Sequence, residues 1–173
     1  ALKILNLKPG SEVITPCLNF GTAVSSIILN NLKPIFVDAE IDTLQIDIDL
    51  IERKITKNTK VLLIPNLIGN IADWKKIYKL KKKYNLFLIE DSADTLGAKI
   101  DNKYTGFYSD ISITSFYGSH IISCAGNGGM LLTNNKNFYN LSRTQPSSYG
   151  SQLFSKLPFE DLKKAHHESI IPI

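Results

Sequence analysis

Cysteine is scarce in this sequence: two among 173 residues, Cys17 and Cys124, far apart and outside any C-x-x-C pattern. That argues against a disulfide framework or a zinc site and makes a reducing cytoplasm the expected location. Both cysteines are expected as small core or site-lining residues rather than nucleophiles. Long apolar runs are missing too. The longest fall far short of the ~18 residues that a membrane-spanning helix needs, and nothing in the chain reads as a secretory signal. Charge is nearly balanced, with 20 basic against 16 acidic residues for a net +4. The basic excess lies largely in Lys75–Lys83, which reads as the solvated face of a helix. With no basic stripe elsewhere and no nucleic-acid motif, no nucleic-acid partner is expected. Repeats and low-complexity tracts are not evident. What is present, at 43% hydrophobic, suffices for one domain core.

Short apolar runs alternate with helical patterns. Ala1–Leu7 has the spacing of the last turns of a helix, stopped by Lys8–Pro9–Gly10. Glu12–Thr15, Pro34–Asp38 and Val61–Pro65 read as strands, and Thr22–Leu29, Asp47–Ile55 and the amphipathic Ile71–Tyr84 as helices. Asp47 is a plausible N-cap, and Asn85 ends the third helix. This rhythm predicts βαβ units and a mainly parallel sheet, an α/β domain of three αβα layers.

The stretch Leu86–His120 concentrates the chemistry. Leu86–Ile89 is an apolar run that meets Glu90–Asp91, as a buried parallel strand does on reaching a site. A second run, Ile111–Phe116, leads into Tyr117–Gly118–Ser119–His120. Two strand ends thus offer Asp91, Asp94, Ser115 and His120, and ligands of open α/β sheets bind outside the carboxyl ends of strands. Gly126–Asn134 follows as a glycine-rich turn into strand Met130–Thr133; it lacks the G-x-G-x-x-G spacing and its strand-to-helix setting. Asn137–Arg143 reads as a short helix, and from Thr144 onward the composition turns polar and irregular. His166 and His167, in that tail, are given no role.

In order and spacing, PGSEVITP (Pro9–Pro16), PIFVD (Pro34–Asp38), the Ile89–Glu90–Asp91 strand end, Tyr104–Thr105–Gly106, SFY (Ser115–Tyr117) and GNGGMLLTN (Gly126–Asn134) resemble the DegT/StrS family of sugar aminotransferases. The resemblance implies the large domain of a fold-type I enzyme dependent on pyridoxal phosphate or pyridoxamine phosphate. It further implies a homodimer when intact. Asp91 would then bind the cofactor's pyridine nitrogen and Ser115 its phosphate. Asp94 would touch the ring hydroxyl or cap a turn. Phe20 would stack on the ring or serve as a core residue at a helix start. No metal ligand is implied. Residues 1–143 correspond to the large domain, cut on its N-terminal side, where part of the phosphate site is expected to be missing; 144–173 lead toward an absent carboxyl-terminal part.

One position departs from the usual pattern. Three residues after Tyr117, where an aminotransferase of the family carries the lysine that holds the cofactor covalently, stands His120. An imidazole forms no imine but moves protons near neutral pH. A branch of the family, the NDP-4-keto-6-deoxyhexose 3-dehydratases of lipopolysaccharide deoxysugar synthesis, is similar here. It is also similar at LIGN (Leu67–Asn70), Asp94–Thr95–Leu96–Gly97 and NKYTG (Asn102–Gly106), whereas the family's more usual residue at position 94 is Gln. The resemblance therefore implies dehydration at C3 of a nucleotide-linked 4-keto-6-deoxy sugar, with His120 as base and then acid. Two other readings stay open. One is a sugar aminotransferase with a shifted lysine, Lys99 or Lys103; the other is an inactive truncated member.

Overall fold

The structure, a computed structural model, describes residues 1–120, 122–124 and 128–144. Its centre is a six-stranded sheet: β1 Glu12–Pro16, β2 Lys33–Val37, β3 Thr59–Pro65, β4 Phe87–Asp91, β7 Ile111–Ser115 and β8 Gly129–Leu132. They lie in the order β2-β1-β3-β4-β7-β8, parallel except for β8, which runs antiparallel to β7. A separate two-stranded hairpin, β5 Lys99–Ile100 and β6 Lys103–Tyr104, hangs between β4 and β7.

Period-two alternation divides the apolar strand residues between two cores. Val13, Val61, Leu63, Ile89 and Ile111 face one side, where they meet Leu2, Leu5, Leu32 and Ile27 of helix α1 (Gly21–Leu29). Ile14, Leu62, Ile64 and Leu88 face the other. There they meet Ile51 of α2 (Ile48–Lys54) and Trp74 and Ile77 of α3 (Trp74–Tyr84). A final helix, α4 (Lys136–Thr144), brings Phe138 edge-on to Phe87 on the first side. Helices on both faces make the expected three-layer αβα architecture. They also explain why Val61–Pro65 of β3 is a continuous apolar run.

Local chemistry sets the helix ends. Asp47 caps α2 by accepting from the Asp49 and Leu50 N–H groups at 3.0 and 3.3 Å. Asn85 ends α3 in the left-handed conformation, φ 51°. Helix α3 begins at Trp74, later than the apolar pattern from Ile71 suggests, because Asp73 captures the Lys76 N–H and fixes the cap there. Ala1–Leu7 yields only one 3-10 turn, Leu2–Leu5, ended by Asn6 at φ 47°. The lysine-rich face of α3 is paired within the molecule: Lys75 to Asp101, Lys81 to Asp110 and Lys83 to Glu52. Cys17 and Cys124 are free and exposed, so neither is a core residue. No helix among the described residues is long and apolar enough to cross a membrane. Gly126, Asn127 and the whole of 145–173, with His166 and His167, lie outside the described residues.

Candidate active site

Parallel strands β1, β3, β4 and β7 end on one edge of the sheet, at Pro16, Pro65, Asp91 and Ser115. Asp91 is the last residue of β4, in register with Pro65 and Ile113 on its neighbours. Its Oδ1 accepts from the Ala93 N–H at 3.0 Å, and no other hydrogen bond reaches the carboxylate among the described residues. The chain turns here without starting a helix, so the carboxylate is a turn acceptor rather than a helix cap. Burial pushes the Asp91 carboxyl above the ordinary aspartate range. The Ala93 N–H pulls it down, the nearby Asp94 charge pushes it up and His120 pulls it down.

Asp94 joins two loops. Its Oδ2 accepts from the Ile68 N–H at 3.0 Å, and its Oδ1 lies 3.6 Å from Nδ1 of His120. Ile68 is held at φ 50°, a conformation that typically costs a β-branched residue about 1 kcal/mol or more. Two bonds keep the 67–70 loop in place: Gln45 Nε2 donates to the Leu67 carbonyl at 3.2 Å, and Asn70 Nδ2 to the Thr43 carbonyl at 2.8 Å. His120 is partly covered, its ring edge-on to Tyr117 with centroids 6.4 Å apart. Ser115 Oγ accepts from the Tyr117 N–H at 3.2 Å, which leaves its hydroxyl proton free for an anion. Phe20 occupies the N-cap position of α1 and is 67% exposed, so the core alternative for this ring does not hold.

The structure thus brings Asp91, Asp94 and His120 into one interacting group. It places Ser115 on the neighbouring strand end and Phe20 just beyond the end of β1. Beneath the edge lies a polar cluster that strand-end reading overlooked. Glu90, 1% exposed, accepts from Asn66 Nδ2 at 3.0 Å, Ser92 Oγ at 2.9 Å and the Gly106 N–H at 2.7 Å. Asn66 Oδ1 in turn accepts from Trp74 Nε1 at 2.8 Å and the Ala72 N–H at 3.1 Å. Strand alternation could have found Glu90: if Asp91 opens to a site, the preceding residue must point the other way, into the interior.

These residues suit a pyridoxal-type cofactor. A half-buried carboxylate with one oxygen free of hydrogen bonds complements a cationic ring N–H, and the Ser115 hydroxyl a phosphate oxygen. A profile of the DegT/DnrJ/EryC1/StrS aminotransferase family matches residues 1–153. The chain belongs to this family. It is 42% identical over 139 residues to the GDP-perosamine synthase of Escherichia coli O157:H7, covering 80% of this chain and 38% of that protein. It is 42% identical over 127 residues to the lipopolysaccharide biosynthesis protein RfbH of Salmonella typhimurium, covering 73% of this chain and 29% of that one. Among solved structures, E. coli GDP-4-keto-6-deoxy-D-mannose-3-dehydratase with bound hydrated PLP superposes with a TM-score of 0.72 at 31% identity, over 78% of this chain and 34% of the other. The chain therefore spans well under half the length of these DegT-family relatives. The family is pyridoxal-phosphate-dependent, and structures similar to this chain hold PLP or PMP.

Proposed function

We propose that this chain is the cofactor-binding part of a DegT-family sugar 3-dehydratase. It would bind pyridoxamine phosphate without a covalent bond and remove the C3 hydroxyl of a nucleotide-linked 4-keto-6-deoxy sugar. The observation that carries the reading is His120 at the position of the family's anchoring lysine, with Nδ1 facing Asp94 at 3.6 Å. When bound, the cofactor supplies an electron sink conjugated to the sugar. Asp91 holds the ring nitrogen in its charged form, Ser115 donates to the phosphate and Phe20 covers the ring. With Nδ1 facing Asp94, His120 would use Nε2 to take a proton and return it to the departing hydroxyl. Asp94, with Oδ1 3.6 Å from Nδ1, orients the imidazole. The homodimer implied by the resemblance belongs to the same proposal, as does a cytoplasmic location.

A second reading, a sugar aminotransferase, is favoured by the 42% identity to a perosamine synthase. It needs a lysine able to reach the cofactor. Lys99 and Lys103 instead lie in the β5–β6 hairpin, stacked over Tyr104 and Phe107 with Nζ 4.5 and 4.7 Å from the ring centroids. Borohydride reduction of the native-length protein with PLP, followed by peptide mass analysis, separates the two. The dehydratase reading expects no lysine adduct, and a dehydration rate that falls roughly 100-fold or more in His120→Asn. A single lysine adduct, or an unaffected rate in that variant, reverses the choice.

A further inference from the structure

The chemistry assigned to Asp91 leaves its neighbour Glu90 unexplained. A carboxylate that is 1% exposed is rare unless satisfied, and this one takes three donors from three separate segments. Asn66 follows β3, Ser92 follows β4 and Gly106 follows β6. Each segment leads to the site. The first runs into the 67–70 loop, where the Ile68 N–H meets Asp94. The second carries Asp94 itself, and its Ser92 carbonyl accepts from Thr114 Oγ1 on β7 at 3.1 Å, one residue before Ser115. The third, Gly106, sits at φ 93°, and a Cβ there would lie 3.1 Å from the Ser112 Cβ on the same strand. Backbone bonds repeat the tie: the Asn66 N–H donates to the Asp91 carbonyl at 2.9 Å and the Ser92 N–H to the Ile113 carbonyl at 2.7 Å.

We infer that Glu90 is a positioning residue, whose buried carboxylate fixes the segments after β3, β4 and β6 so that Asp91 and Asp94 keep the placement a cofactor needs. All three partners donate, so the acceptor-only carboxylate suits the cluster and an amide does not. Because one oxygen meets the Asn66 and Ser92 groups and the other the Gly106 N–H, Glu90→Gln puts an NH₂ against a donor while keeping shape and volume. The segments then separate, water reaches Asp91 and its carboxyl loses the burial that sets its proton affinity. The inference rests on the reading of Asp91 as the ring-nitrogen partner, but half of its test does not.

The experiment compares the native-length protein with Glu90→Gln and with Ile27→Val, a core truncation on the other side of the sheet. Two quantities are read. One is the ¹³C titration of the Asp91 carboxyl without cofactor; the other is PLP affinity by absorbance titration. For Glu90→Gln the Asp91 midpoint falls toward the ordinary aspartate value and PLP binds roughly tenfold more weakly or worse, the scale on which small misplacements are felt. Ile27→Val loses stability and moves neither. An Asp91 midpoint and a PLP affinity both unchanged in Glu90→Gln overturn the inference, whatever happens to its melting temperature. Wild-type protein that binds no PLP overturns the proposed function instead, and the Asp91 titration still decides the role of Glu90. If Glu90→Gln does not fold, Ser92→Ala, which removes one donor of the three, is expected to move both quantities in the same direction by less.

Discussion

Glu90 and Asp91 are consecutive residues of β4, and burial is the first cause of raised proton affinity in both. Their surroundings nevertheless differ. Glu90 points inward and is saturated by the Asn66, Ser92 and Gly106 donors. Asp91 points to the strand edge and receives one N–H, from Ala93. A saturated buried carboxylate holds structure together. One kept short of donors at an open edge is available to a ligand. Under the proposed function, the same strand would carry a structural acid and a chemical acid back to back, separated by a single step of the pleat.

The sharpest way to break this contrast is to remove the saturated partner. Glu90→Leu leaves the buried Asn66 and Ser92 donors and the half-buried Gly106 N–H without an acceptor, and a loss on the order of 3 kcal/mol is expected. Urea unfolding followed by fluorescence of Trp74, the single tryptophan, which itself bonds Asn66, measures it directly. Next comes Gly106→Ala, where the φ of 93° and the crowding by Ser112 both resist a Cβ. A loss of about 2 kcal/mol is expected. A loss below about 0.5 kcal/mol would mean that the turn relaxes without Glu90 noticing.

The strand side of this arrangement was readable because composition and position agree there. Val61–Pro65 and Leu86–Ile89 are apolar on both faces, and the sheet buries both. Asp47 and Asn85 sit where capping chemistry wants them. The β5–β6 hairpin escaped because two-residue strands carry no alternation. Its signal lies in the turn, Asp101–Asn102, both at positive φ (47° and 61°), a pattern that joins paired strands. Strand β8 was expected at Met130–Thr133, but its antiparallel direction escaped because an apolar run does not state its direction. The Glu90 cluster was invisible for another reason. Its members are 24, 2 and 16 residues apart, and only the strand order β3-β4-β7 brings them together. Of the candidate site, residue identities came from sequence, whereas the Asp94–His120 contact and the exposure of Phe20 required coordinates.

Smaller effects test the chemical acid. Asp91→Asn keeps an oxygen for the Ala93 N–H and removes a charge that burial disfavours. Without cofactor, this variant is expected to be about 1 kcal/mol more stable than wild type near neutral pH. Since the folded carboxyl titrates above the ordinary value of 3.8, native protein binds more protons than unfolded chain between those two points. Wild-type stability from this group therefore declines as pH rises through that window. The advantage of Asp91→Asn should disappear as pH falls through the window to below 3.8. Thermal melts of both proteins across pH give the difference curve. An advantage that instead grew toward low pH would mean that Asp91 is stabilised as the anion in the empty site.

The smallest expected effect separates the two influences of Asp94 on its neighbour. In Asp94→Asn the amide oxygen can still accept from the Ile68 N–H, so the cost should be about 0.5 kcal/mol. The charge is gone, however, and with it the repulsion that raises Asp91. The Asp91 carboxyl midpoint in the ¹³C titration should therefore fall, with the 67–70 loop amides little changed in position. If the midpoint holds steady while those amides shift, Asp94 acts on the site through the strained Ile68 loop rather than through its charge. The carboxylate would then be placed with Glu90 among the groups that shape the edge, leaving Asp91 as the acid of this group with a single donor.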